Sequence, residues 1–335
     1  MILSFGRHSD LLNLGLEVQS QLELITDIVP NVYSDRREVD GKMSEDFGVS
    51  ICDPKVLARD IFLDKNDPII HVVSPTGGGL LCAIAGLIRG RKILYHCHRL
   101  DFMSFGGAKT LKVFIYTVII FLISNKVFVH SEKIKKFFIW QSKIVYAELP
   151  EFDFSSFNPD FSMAGNEVLF FGRLDGNKGL ELFSEIAYLL PDTIFRICGE
   201  LVDASLQSTL DKLSKMNNVI LNIGRVDQDS LPSIFQKAKC VVLPYSGATQ
   251  SGIPFLARSL RTPVLVADVG DLAATVSEPM YGVSILGRDP EVWSKVIDDT
   301  DWHNLRVCID AVSGRDHVGG VYAHVGKEIA TGYIK

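Results

Sequence analysis

The sequence predicts an α/β protein of two doubly wound domains that face a cleft, each a parallel sheet covered by helices on both sides. Short apolar runs alternate with stretches of helical periodicity along the chain. The connections between them are short, as parallel sheets with crossover helices require. A tract without sustained period, from Pro150 to Asn166, is rich in Pro, Ser, Asn and Asp and interrupts the alternation. At 335 residues the chain is long enough for two cores. The expected layout is a first domain over 1–150, a linker over 151–166 and a second domain over 167–335. The last helix of the second domain could pack back on the first.

In the first half, strands are expected over 2–5, 69–73, 93–96, 126–130 and 143–147, each a short apolar run. Helices are expected over 11–25, 80–88, 109–124 and 132–140. In the second half, strands are expected over 167–171, 193–198, 219–222, 240–244, 264–267 and 283–285. The intervening helices are expected over 179–190, 204–215, 230–239, 251–260 and 290–300.

The composition is 47% hydrophobic and 22% charged, ordinary for a globular chain, and the net charge of −6 does not point to nucleic acid. The charge is uneven. From Arg89 to Lys143 eleven cations face only Asp101 and Glu132, so this stretch carries +9 and the remainder −15. Such a patch would draw anionic lipid headgroups or a phosphorylated acceptor; a solvated basic face reads equally well. Cys52, Cys82, Cys97, Cys198, Cys240 and Cys308 show no C-x-x-C spacing and fit small buried hydrophobes in a reducing compartment. The opening residues lack a basic stretch and a long apolar core, so no signal peptide is expected. The most apolar run, 113–124, is shorter than the roughly 20 residues that cross a bilayer.

The chemistry concentrates in loops that follow strands of the second half, where open α/β sheets bind ligands. In Val168-Leu-Phe-Phe-Gly-Arg-Leu-Asp-Gly-Asn-Lys-Gly-Leu180 an apolar strand enters a glycine turn flanked by Arg173 and Lys178, with a helix from about Gly179. Arg grips phosphate oxygens through paired hydrogen bonds, Lys adds a mobile charge, and a helix N-terminus favours an anion. The arrangement suits a diphosphate. Further loops are Ile197-Cys-Gly-Glu200, Ile223-Gly-Arg-Val-Asp227, Leu243-Pro-Tyr-Ser-Gly-Ala-Thr-Gln-Ser-Gly-Ile253 and Ala267-Asp-Val-Gly-Asp-Leu272. In the longest, Thr249, Gln250, Ser251 and Gly252 offer hydroxyls, an amide and backbone N–H groups.

These motifs, in this order, resemble the retaining GT-B glycosyltransferases of family 4 (glycosyl transferases group 1), over about 167–276 and more weakly beyond. The resemblance implies a GT-B fold of two Rossmann-like domains. It also implies a nucleoside-diphosphate-sugar donor in the second domain and an acceptor in the first. Arg173 and Lys178 match the pair that grips the donor diphosphate. Gly172, Thr249, Gln250, Ser251 and Gly252 line the donor side, and Val226 falls where the backbone meets the nucleobase. In Leu94-Tyr-His-Cys-His-Arg-Leu-Asp-Phe102, His98 matches a cleft histidine, counted with Arg173 and Lys178 as catalytic, whereas His71 reads as a hydrogen-bonded core residue. Gly77, Gly78 and Gly79 could admit acceptor or phosphate to the backbone, or form a plain tight turn. The family often carries two glutamates where Thr249 and Ala257 stand here.

The resemblance implies a hexosyltransferase-type enzyme that moves a sugar to a hydroxyl of a lipid-linked or polysaccharide acceptor with retention. By analogy its setting is bacterial surface polysaccharide (O-antigen, lipopolysaccharide or capsule) assembly, in the cytoplasm or peripheral at the inner face of the membrane. No His, Cys and Asp cluster with ligand spacing is present, so neither metal nor cofactor is expected. A catalytically silent binding subunit is the alternative that the missing glutamates suggest. A nucleotide-linked oxidoreductase lacks a G-x-G-x-x-G after a strand near either domain's start.

Overall fold

The computed structural model describes residues 2–3, 32–34, 49–51, 53–63, 69–73, 75–97, 108–129, 141–146, 154, 160, 165–248, 251–277 and 281–313. The chain divides into two compact units, one of 1–148 with 319–335 and one of 149–318.

Unit one runs β1 (Ile2–Leu3), β2 (Val32–Ser34), β3 (Val49–Ile51), α1 (Pro54–Leu63), β4 (Ile69–Val72), α2 (Gly77–Ile88), β5 (Lys92–Cys97), α3 (Ala108–Ile123), β6 (Lys126–Val129) and β7 (Ile144–Tyr146). Its sheet has the order β3-β2-β1-β4-β5-β6-β7, with every pair parallel. The direction of winding reverses between β1 and β4, which makes the C-terminal end of β4 a topological switch point.

On one face of this sheet Ile70, Val72, Ile93, Tyr95, Cys97, Val127 and Val129 form a core with α1, α2 and α3. Small residues let α2 lie close: a Cβ on Gly86 would stand 2.1 Å from Ile70 Cδ1. The alternate residues His71, His96 and Phe128 belong to the other face. Nε2 of His71 and Nδ1 of His96 share a hydrogen bond of 2.8 Å, and their rings stack with centroids 4.7 Å apart. His71 is thus the hydrogen-bonded core residue expected from sequence.

Unit two runs β8 (Glu167–Phe171), α4 (Leu180–Leu189), β9 (Phe195–Gly199), α5 (Gln207–Leu213), β10 (Val219–Ile223), α6 (Leu231–Gln236), β11 (Ala238–Leu243), α7 (Ile253–Ser259), β12 (Val264–Ala267), α8 (Ala274–Ser277), β13 (Gly282–Ile285), α9 (Pro290–Asp299) and α10 (Trp302–Ser313). The sheet order is β10-β9-β8-β11-β12-β13, again parallel, and the winding reverses between β8 and β11. Its central strands β8, β9, β11 and β12 are largely buried on both faces. Val168, Phe170, Cys240 and Val242 enter one core, and Leu169, Val241, Leu243, Val264 and Val266 enter the other. That is why these strands read as unbroken apolar runs rather than alternating ones. Arg306 of α10 is buried and donates to the carbonyls of Phe235 and Ala238, so α10 is tied to the start of β11.

Several expectations are corrected. The helix expected over 80–88 begins at Gly77, because Thr76 Oγ1 accepts from Gly79 N at 3.1 Å and caps it; Gly77–Gly79 are its first turn, not a free loop. The helix expected over 230–239 is a 3-10 turn, Gln228–Ser230, followed by α6, and ends at Gln236. Ala238 already pairs with Glu167 of β8, so tertiary pairing overrides local helical pattern. The helix expected over 204–215 opens as a 3-10 turn, Ala204–Leu206, capped by the Asp203 side chain. Strands β2 and β3 and helices α1, α8 and α10 were not expected. Of the six cysteines, Cys82, Cys97, Cys198 and Cys240 are buried as expected, whereas Cys308 is exposed. The expected helices 11–25 and 132–140 and most of the linker lie outside the described residues.

Burial lowers the pKa of His71 from the usual 6.5 to about 3, because a charged imidazole would lose its hydration. The folded state then refuses a proton that the unfolded state accepts below 6.5. Stability should therefore be full above that pH and decline as pH falls from about 6.5 toward 3. Between pH 7.5 and 5 the loss attributable to this residue should be about 2 kcal/mol. Urea titrations of wild type and His71→Asn at the two pH values check it: the variant should lose less. An equal loss would remove His71 as the cause.

Candidate donor-side site at the second switch point

The loops singled out in sequence gather at the C-terminal ends of β8, β9, β10 and β11, around the reversal between β8 and β11. After β8, Gly172 N bonds to Cys198 O (3.0 Å) and Leu174 N to Glu200 O (2.8 Å), so the first loop stays paired with the exit of β9. Gly199 makes this approach feasible. With φ +151, its place for a Cβ lies 1.8 Å from Gly172 O, so no side chain fits. Gly224 N in turn bonds to Gly199 O at 2.9 Å, which aligns the exit of β10. Val226 beyond it is half-buried against the core that contains Tyr245 and Leu256.

The first loop is also fastened to the exit of β11. Ser246 N donates to Asn177 O (3.0 Å), and Asn177 Nδ2 donates to Gly247 O (3.3 Å). Gly179 caps α4 with φ +75, and a Cβ there would stand 1.9 Å from Pro244 O. The same Pro244 carbonyl accepts from Arg288 Nη1 at 2.9 Å. Asn177, Arg288 and Tyr245 are the residues that sequence reasoning missed. Their contacts span 70, 44 and 67 positions, and no local pattern announces them.

These fastenings set the two cations. The Lys178 ammonium lies 4.0 Å from the centroid of the Tyr245 ring, a cation–π contact that orients the flexible side chain. Tyr245 is buried, its hydroxyl lies 3.3 Å from Ser251 Oγ, and burial pushes its pKa up to about 12, so it stays neutral. Arg173 is half-buried and forms no hydrogen bond or ion pair among the described residues. Among the described residues its charge is not spent on an internal partner. Two cations on a rigid frame at a switch point can stabilise a dense anionic group.

The fourth loop behaves differently from its sequence reading. Ser251 is buried, and its Oγ also accepts from Ile253 N at 3.3 Å. Pro254 has no N–H, so the seven-residue α7 opens with fewer backbone donors than expected. Gly252 has open space where a Cβ would stand. Ala257 is fully buried in the core and has no polar atom to offer. Thr249, Gln250 and His98 lie outside the described residues. Gly77–Gly79 sit after β4, at the switch point of unit one. Among the described residues no group of three or more His, Cys, Asp or Glu is placed to hold a metal ion.

Gly179→Ala should pry the first loop from Pro244, because the methyl would need the space of a carbonyl and a backbone conformation costing about 1–2 kcal/mol. A fall in melting temperature of several degrees is expected by calorimetry, and a melt identical to wild type would refute the wedge.

Residues 165–299 match the family described as Glycosyl transferases group 1. A D-inositol 3-phosphate glycosyltransferase of Paenarthrobacter aurescens is 27% identical over 141 residues, which cover 39% of this chain and 34% of that protein. The chain thus spans about a third of the curated relatives it matches. The structure of Anabaena Alr3699/HepE in complex with UDP and glucose superposes with a TM-score of 0.76 at 15% identity, covering 98% of this chain and 99% of that one. Sucrose-phosphate synthase of Thermosynechococcus elongatus gives a TM-score of 0.72 at 14% identity, over 99% and 98%. The fold is therefore that of the GT-B glycosyltransferases, and 165–299 is the part of the chain that matches glycosyl transferases group 1.

Proposed function

We propose that this protein is a retaining glycosyltransferase that moves a sugar from a nucleoside diphosphate to a hydroxyl of a lipid-linked or polysaccharide acceptor. The observation that carries the reading is the loop of Arg173 and Lys178, fastened on both sides at the switch point between β8 and β11. The match of 165–299 to glycosyl transferases group 1 and the UDP complex of a protein with the same fold support it. The anionic membrane surface, drawn to the basic stretch 89–143, and a role in surface-polysaccharide assembly at the inner face of the membrane belong to the same reading.

In the proposed reaction the bond between the anomeric carbon and the diphosphate oxygen breaks. The acceptor oxygen bonds to that carbon from the same side, and the departing phosphate takes up the acceptor proton. Negative charge grows on the diphosphate, and Arg173 and Lys178 stabilise it as fixed electrostatics in place before the bond breaks. Gly172, Val226, Thr249, Gln250, Ser251 and Gly252 complete the donor side. His98 and Gly77–Gly79 are assigned to the acceptor side in unit one. The burial of Ala257 in the core favours one second reading, a donor-binding subunit without turnover.

Thermal-shift titrations with UDP, GDP, TDP, CDP, ADP and NAD test the donor side. One nucleoside diphosphate should raise the melting temperature, and Arg173→Ala should weaken its binding about tenfold or more. Stabilisation by none, or by NAD alone, contradicts the reading. Donor-sugar hydrolysis followed by NMR should proceed with the anomeric configuration retained and be unchanged by EDTA. Loss of rate in EDTA, restored by Mg²⁺ or Mn²⁺, would overturn metal independence. Nucleotide binding without any turnover would favour the silent subunit.

A further inference from the structure

The helical layer of unit one is apolar on its outer side. On α3, Leu111, Ile115, Val118 and Leu122 recur at i, i+4, i+7 and i+11, the spacing of one helix face, and are 38–60% exposed. On α2, Leu81, Ile84 and Ile88 recur at i, i+3 and i+7 and are 38–66% exposed. Helix α2 packs against both α1 and α3, and α1 adds exposed Phe62 and Leu63. The inner faces of α2 and α3 are apolar as well, with Cys82, Ala83, Ile120 and Phe121 in the core. The outer stripes are therefore surplus to folding. Single exposed apolar residues are normal, but aligned stripes on adjacent helices mark an interaction surface.

The charges around the stripes select the partner. Arg89 is exposed at the end of α2, with its guanidinium 5.7 Å from the Phe62 ring centroid. Lys112 is exposed on α3, and Lys143 Nζ donates to Leu122 O at the end of α3. From 75 to 146 the sequence carries only two acids, Asp101 and Glu132. A second copy docking through the same face would bring two strongly cationic stretches together. No helix of the described residues is long and apolar enough to cross a membrane, so the stripes cannot mark a span.

We propose that the face formed by α1, α2 and α3 docks on an anionic lipid bilayer, with the stripes of α2 and α3 entering the boundary between headgroups and acyl chains while Arg89 and Lys112 meet lipid phosphates. This rests on the lipid-acceptor reading and deepens it: apolar insertion, and not charge alone, holds the protein at the membrane. Salt then weakens the attachment but does not abolish it, because insertion is not screened.

Flotation of the full chain with vesicles of phosphatidylcholine containing about 30% phosphatidylglycerol tests this. Wild type should float, and most of it should still float in about 0.5 M NaCl. Leu111→Glu/Leu122→Glu should cut the bound fraction about tenfold while keeping the wild-type melting temperature and nucleotide-induced shift. Leu286→Glu, at an 83% exposed apolar residue of unit two, should float like wild type. Absence of flotation, complete release by salt, or a double variant that floats normally would overturn the proposal. So would a wild-type dimer by analytical ultracentrifugation that the double variant dissolves, which would assign the face to self-association. Nucleotide stabilisation without flotation would defeat the membrane proposal alone. Flotation without nucleotide stabilisation would defeat the donor reading alone.

Discussion

One backbone carbonyl, that of Pro244, organises the second unit's ligand end. Gly179 approaches it so closely that only hydrogen fits between them, and Arg288 donates to it from beyond β13. Through this point the loop after β8, the loop after β11 and the segment after β13 become one surface. The positions of Arg173 and Lys178 are consequences of that closure. A loop carrying two cations would otherwise sample many conformations, and ordering it at the moment of binding would cost affinity. Here much of the ordering is done during folding, by Asn177 on one side and by Gly199 on the other.

The same economy of space appears in unit one with the opposite outcome. Small residues bring α2 against its sheet, so the large residues of that helix have nowhere to go but outward. A helix packed through glycine and alanine on its inner side and leucine and isoleucine on its outer side inverts the usual amphipathic order. Read from sequence alone, the run 80–88 simply looks buried.

Much of the fold was legible because both sheets are covered on two faces. Strands 167–171 and 264–267 match the structure residue for residue, since double burial turns them into continuous apolar runs bounded by turn residues. The short strands Val32–Ser34 and Val49–Ile51 were not legible, because three residues carry too little pattern. Helix α1 had a local signal that was passed over: Asp53 before Pro54, with the Asp53 side chain accepting from Lys55 N at 2.7 Å. The motif residues Arg173 and Lys178 could be picked out by residue type and spacing. What holds them could not, because Asn177, Tyr245 and Arg288 act through contacts made only once the sheet has assembled.

Two sets of glycines in the second unit have different evolutionary prospects. At Gly172, Gly179 and Gly199 the backbone is in the positive-φ region, and at the last two neighbouring carbonyls also occupy the place of a side chain. Those positions are closed to drift. Gly247 and Gly252 have ordinary backbone and empty space above them, beside the same loops. A lineage could acquire side chains there without disturbing the scaffold, and each would protrude toward whatever occupies the end of the sheet. The frame that keeps the cations fixed thus leaves two adjustable sites at which ligand selectivity can diverge.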